Sequence, residues 1–218
     1  MKTTEAEPSY FGSFDRSFRE HAHQLVAWGY QDALPRIRSE DEEEPSISGF
    51  IANAIRVRLQ SDGSPPWCDM FFVSEDRPEE TAGRVGRSRL RPDIVIETNS
   101  PRQRPEYVFE AKRLHKGSHG VDKYVGQEGM RCFIDGAYGH RYDEAGMLGY
   151  VQSDSPIDWQ ISVKKAINNE KDRLGLFGNQ RDITVIDAFP IEWITEHRRD
   201  GVGRPVAIYH ILLDCCRD

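Results

Sequence analysis

The feature that most constrains this chain is a pair of short runs rich in β-branched and aromatic residues, RPDIVIE (91–97) and YVFEAK (107–112), on either side of the polar loop NSPRQRPE (99–106). Such runs around a proline-containing loop read as an antiparallel hairpin. A hairpin centred near residues 101–102 sets Asp93 opposite Glu110. Side chains alternate between the two faces of a strand. Ile94, Ile96, Phe109 and Ala111 therefore point to the core, and Glu110 shares the other face with Lys112. Directly opposed like charges destabilise a strand pair. A divalent cation between the two carboxylates removes the conflict, because hard cations such as Mg²⁺ take carboxylates, waters and phosphate oxygens as ligands. A lysine two residues on is placed to hold or deprotonate an attacking water.

Around this hairpin the apolar spacing marks further elements. Phe14, Phe18, His21, Leu25 and Trp28 predict a helix from Ser13 to about Trp28, and residues 47–59 a second one with the stripe Ile47, Phe50, Ile51, Ala54, Ile55. CDMFFV (68–73) and GMLGYV (146–151) read as strands, 121–138 and 158–172 as helices, and DITVIDAF (182–189) and RPVAIYHILLDC (204–215) as a closing pair of strands. On the 121–138 helix, Tyr124, Gln127, Glu128 and Arg131 form the polar side. Strands interleaved with helices predict an α/β domain built on a mixed sheet with helices packed against it. Residues 1–12 are expected to be flexible and 13–218 to form one domain, which 218 residues can supply with a full core.

Composition narrows the classes. The net charge of −7 argues against a uniformly basic nucleic-acid coat, but leaves room for a local basic groove. Arg84, Arg87, Arg89 and Arg91 lead into the first strand, Arg102 and Arg104 sit in the hairpin loop, and Arg113 and Lys116 follow Lys112. Cys68, Cys132, Cys215 and Cys216 have no CxxC spacing, which predicts free thiols rather than a disulfide framework or a zinc site. His115 and His119 are four apart, but Gly117 and Gly120 place them in a loop. His197 and His210 read as hydrogen-bonding core groups, and Phe71, Phe72, Phe109, Phe133, Trp159 and Trp193 as core aromatics. No apolar run approaches the roughly 20 residues of a membrane span, and MKTTEAEPSY has no apolar stretch of the secretory kind. A cytoplasmic location is the expectation.

Pro92-Asp93 followed by Glu110-Ala111-Lys112 resembles the signature of the PD-(D/E)XK nuclease superfamily, the restriction-endonuclease-like fold. That superfamily sets the motif on two neighbouring antiparallel strands, with a glutamate on a helix before them and another helix directly after. The resemblance covers a core of about residues 40–152. It implies that Asp93, Glu110 and the carbonyl of Ala111 bind metal, and that Lys112 orients or activates water. It also implies an upstream acid from the EDEEE run, with Glu44 preferred and Glu42 and Glu43 open. Some members carry a glutamine and a tyrosine four apart on the helix after the motif; here Tyr124 precedes Gln127 by three.

The function these residues imply is Mg²⁺-dependent hydrolysis of phosphodiester bonds, with Mn²⁺ able to substitute. Catalysis is assigned to Asp93, Glu110 and Lys112; metal binding to Glu44, Asp93, Glu110 and Ala111; substrate contact to Arg87, Arg89, Arg91, Arg113, Gln127 and Arg131. The substrate is expected to be DNA before RNA and the enzyme an endonuclease before an exonuclease, in bacterial restriction, antiphage defence or repair. A homodimer, or a sensor or ATPase partner, fits that setting. The alternatives are an RNA nuclease, or a silent or latent nucleic-acid-binding or scaffold subunit of a larger defence complex.

Overall fold

The computed structural model describes residues 10–78, 89–99, 105–139 and 141–216. Helix α1 (Tyr10–Ala33) starts before Ser13 and runs beyond Trp28. Helix α2 (Glu44–Leu59) likewise begins earlier than its apolar stripe, with Pro45 at its start, where the missing amide hydrogen costs nothing. The two helices pack through Ala22, Leu25, Val26, Ile47, Ile51 and Ile55, all completely or almost completely buried. Gly29 permits their close approach: a Cβ there would lie 2.6 Å from Ile55 Cγ1 and 2.8 Å from the Ile51 carbonyl oxygen. Phe50 and Ala54 reach this core only partly.

One seven-stranded sheet forms the middle layer, in the order β1-β2-β3-β4-β7-β6-β5. Its strands are β1 (Phe71–Glu75), β2 (Ile94–Thr98), β3 (Glu106–Leu114), β4 (Glu144–Val151), β5 (Leu176–Asp182), β6 (Glu192–His197) and β7 (Val206–Asp214). β1, β2 and β3 form an antiparallel meander. β3 then pairs in parallel with β4, and β4 in parallel with β7, while β6 and β5 complete the sheet antiparallel. Each parallel neighbour requires a crossover. Helices α3 (Val121–Val125) and α4 (Met130–Ile134) lie in the first; α5 (Pro156–Asn169), β5 and β6 lie in the second.

Alternation along the strands divides the apolar side chains between two cores. Ile94, Ile96, Tyr107, Phe109, Ala111, Leu148 and Tyr150 join α1 and α2 on one face. Val95, Val108, Leu114, Ala145 and Met147 join α3, α4 and α5 on the other. The expected α/β architecture with a mixed sheet flanked by helices is therefore present.

Several boundaries differ from the sequence reading. Residues 66–70 form a 3₁₀ turn, so β1 starts at Phe71 rather than Cys68. Phe72 is 53% exposed, not core, because it lies on the opposite face of β1 from Phe71. The single helix expected over 121–138 is two short ones. Gly126 and Gly129 break it: a Cβ at Gly129 would lie 2.2 Å from the Tyr124 carbonyl oxygen. Tyr124 is buried rather than on a polar side, with its hydroxyl 3.0 Å from His210 Nδ1. Residues 183–190 are not a strand. Ile183, Val185 and Ile186 pack as a loop against the first core, and the partner of β7 is β6.

Candidate active site

The β2–β3 register pairs Ile94 with Phe109 and Val95 with Val108, which continues to Asp93 opposite Glu110 just beyond the ladder. The hairpin holds a second opposed acidic pair, Glu97 and Glu106, and comparison of the two is informative. Arg77 neutralises that pair, with Nη1 2.9 Å from Glu97 Oε1 and Nη2 2.7 Å from Glu106 Oε2. No arginine serves Asp93 and Glu110 among the described residues. A third acid joins them instead. Glu44, the first residue of α2, brings its carboxylate to the same place, and one oxygen from each of Glu44, Asp93 and Glu110 lies within 4.8 Å of the others.

Lys112 lies at the centre of this cluster. Its ammonium donates to Glu44 Oε1 at 2.7 Å, to Glu110 Oε1 at 2.8 Å and to the Ala111 carbonyl at 2.5 Å. Asp93 is fixed separately: Oδ2 accepts from the Ala111 amide at 2.7 Å, and Oδ1 faces the Ser48 hydroxyl at a longer 3.4 Å. Ser48 in turn lies 2.8 Å from the buried Tyr150 hydroxyl. Glu110 is 5% exposed, and its Oε2 has no hydrogen-bond partner among the described residues.

The charges in this pocket oppose one another. Burial, assisted by Glu44, pushes Asp93 up to about 6 against the pull of Lys112. Burial and then the Asp93 charge hold Glu110 well above the ordinary glutamate value. For Lys112, burial acts to lower the value, but Glu110, Glu44 and Asp93 together override it and keep the ammonium charged. The cluster is thus a partly buried site with more negative charge than one lysine offsets. An isolated buried carboxylate oxygen is costly unless a cation or donor meets it. A hard divalent ion satisfies that requirement, and the donor set of three carboxylates and a main-chain carbonyl suits one.

The residues expected to grip substrate are placed less uniformly. Arg87, with Arg84, Arg102 and Arg104, lies outside the described residues. Arg89 is partly exposed on the approach to Asp93. Arg91 is tied to Asp76, at 2.8 Å from Oδ2 and 2.9 Å from its carbonyl. Arg131 pairs with Asp135 at 2.9 Å, whereas Gln127 is exposed in the turn between α3 and α4. The Arg113 side chain is engaged internally, with Nε 2.5 Å from Gln152 Oε1 and Nη2 3.3 Å from the Glu40 carbonyl.

Away from the site, His115 and His119 close a turn through two mutual backbone bonds. His197 and His210 both bond Thr195 in the core. The four cysteines are free, and burial pushes the Cys132 thiol up to about 12. Among the described residues, no helix is long and apolar enough to cross a membrane. No known protein family, curated protein or solved structure matches the chain.

Proposed function

We propose that this protein is a metal-dependent nuclease of the PD-(D/E)XK kind, with the restriction-endonuclease-like core running from α2 to β4 and DNA as its substrate. The observation that carries the reading is the meeting of Glu44, Asp93 and Glu110 around Lys112, with a buried, unpartnered oxygen on Glu110. The element order supports it: a helix carrying an acid, then the hairpin with the motif, then a helical segment and a strand that extends the sheet.

Glu44, Asp93, Glu110 and the Ala111 carbonyl are the groups that would hold Mg²⁺, or Mn²⁺ in its place. The ion supplies Lewis acidity and a more acidic bound water. The protein residues do the rest. The Ala111 amide, with a longer contact from Ser48, orients the Asp93 carboxylate toward the site. Lys112, already bonded to two of the acids, orients the water and offsets charge developing on the phosphate. Arg89, with the arginines that precede it in sequence, is the assigned phosphate contact.

The test is a cleavage panel of plasmid DNA, single-stranded DNA and RNA with Mg²⁺, Mn²⁺ or EDTA, with Lys112→Ala beside the wild type. Cutting that requires the ion and falls by about 10³-fold or more in the variant is expected, since such a group contributes a several-kcal/mol share of the barrier. Cutting of RNA alone would move the substrate assignment to RNA. No cutting of any substrate contradicts the reading.

A further inference from the structure

Glu44 is the first residue of α2 and follows a segment without regular structure, residues 37–43, so the contacts around that segment bear on where its carboxylate lies. The structure supplies a clamp. Gln152 follows directly after β4 and is 1% exposed. Its Oε1 accepts from Arg113 Nε at 2.5 Å, and its Nε2 donates to the Glu42 carbonyl at 2.8 Å. Arg113 Nη2 reaches the Glu40 carbonyl at 3.3 Å, and the Arg113 backbone amide donates to Glu44 Oε2 at 3.1 Å. The other Glu44 oxygen accepts from Lys112.

We propose that Gln152 is a positioning residue that acts through Arg113 and the backbone of residues 40–42 to set the Glu44 carboxylate in the metal site. The inference rests on the metal-site reading above. Its chemistry is specific to an amide. A side-chain amide offers an acceptor and a donor at once, and here both ends are used. A carboxylate in its place keeps the bond to Arg113 but turns an acceptor toward the Glu42 carbonyl. The arrangement also accounts for Arg113, whose guanidinium is bonded to Gln152 and the Glu40 carbonyl rather than presented to a substrate.

The experiment is Mn²⁺ binding followed by electron paramagnetic resonance, on the whole chain. It compares the wild type, Gln152→Ala, Glu44→Ala and the double variant, with a thermal melt on each. Partners one layer outside the ligands typically change metal affinity by about 10–100-fold, so Gln152→Ala is expected to weaken binding about tenfold. In the Glu44→Ala background it is expected to add no more than about twofold, because the two residues act as one unit. Gln152→Glu is the second variant should Gln152→Ala fail to fold, and the same loss is expected of it. Unchanged affinity in a folded Gln152 variant overturns the inference alone, as does an equal loss with and without Glu44. A wild type that binds no Mn²⁺ removes the metal-site reading and this inference together.

Discussion

Asp93 is a carboxylate whose burial acts against the stability of the fold. Its folded value of about 6 lies above the ordinary 3.8, so the native state holds this proton more tightly than the unfolded chain does. The resulting penalty is absent below pH 3.8, grows between there and about 6, and is full above. Asp93→Asn removes it. In EDTA at pH 7.5 the variant is expected to be more stable than the wild type by about 1–3 kcal/mol, since a tenfold difference in proton affinity between the folded and unfolded states is worth about 1.4 kcal/mol. The gain should shrink as pH falls toward 4; a variant that melts lower at pH 7.5 contradicts this account. Arg199 shows the opposite kind of residue, charged and buried for the fold alone. Its guanidinium donates to the carbonyls of Arg204, Gly139, Tyr142 and Pro205 at 2.8–3.2 Å. A lysine cannot span that fork. Arg199→Lys is expected to cost about 2–3 kcal/mol in a denaturant titration, because a buried cation loses most of its bonds to the four carbonyls. The pairing of Asp93 with Glu110 was legible because a hairpin register follows from simple pairing arithmetic. Arg199 gave no such signal, since Gly139 and Tyr142 lie far away in the chain and Arg204 and Pro205 meet it only once the adjoining loop has folded back.

The elements that sequence patterning located well are those with a single dominant period. The stripe of α2 and the alternation of β2 and β3 each have one reading, and the structure bears both out. The segment 121–138 misled because its apolar residues keep helical spacing across a break in the helix. Gly126 and Gly129 are the signal that it is not one helix, and their role is steric. A Cβ at Gly129 would meet backbone oxygens of Tyr124 and Lys123 at 2.2 and 2.6 Å, which cannot move without shifting α3. Gly129→Ala is therefore expected to destabilise the fold by about 2 kcal/mol or more, measured by urea unfolding, against the small effect of an alanine in an ordinary turn. An unchanged midpoint would mean that α3 moves freely. β5 was invisible for a different reason. LFGNQRD is an edge strand with exposed side chains, and its pairing is held by the ladder to β6 rather than by burial. The apolar run 183–189 drew the expectation of a strand that belongs to β6. Gln152 and Ser48 were missed as well; Ser48 is a polar residue within an apolar helix stripe, whereas Gln152 opens the polar stretch after β4 and its burial has no sequence signal.

At the scale of the whole molecule, the sheet brings three acids from three separate elements to one point, α2 for Glu44, the approach to β2 for Asp93 and β3 for Glu110. Their convergence requires the complete fold, so a metal ion held there would be linked to folding. A ligand that binds only the native state adds about 2.7 kcal/mol at one hundred times its dissociation constant. Mg²⁺ at that level is expected to raise the melting temperature of the wild type and to leave Glu110→Gln unmoved. An equal rise in both would place the ion elsewhere. Only the Asp93–Glu110 half of the site could be read directly from residue spacing. The resemblance supplied the need for a third acid, Glu44 was preferred over Glu42 and Glu43 for its place at the start of the second helix, and the geometry brings Glu44 to Lys112. The central claim is that this cluster cuts phosphodiester bonds. It is tested most directly by incubating supercoiled plasmid with equal amounts of folded wild type and Glu110→Gln, each in Mg²⁺ and in EDTA. Nicking or linearisation by the wild type in Mg²⁺ alone is the result predicted here. Intact plasmid in every lane, or equal cutting by the variant, would contradict it.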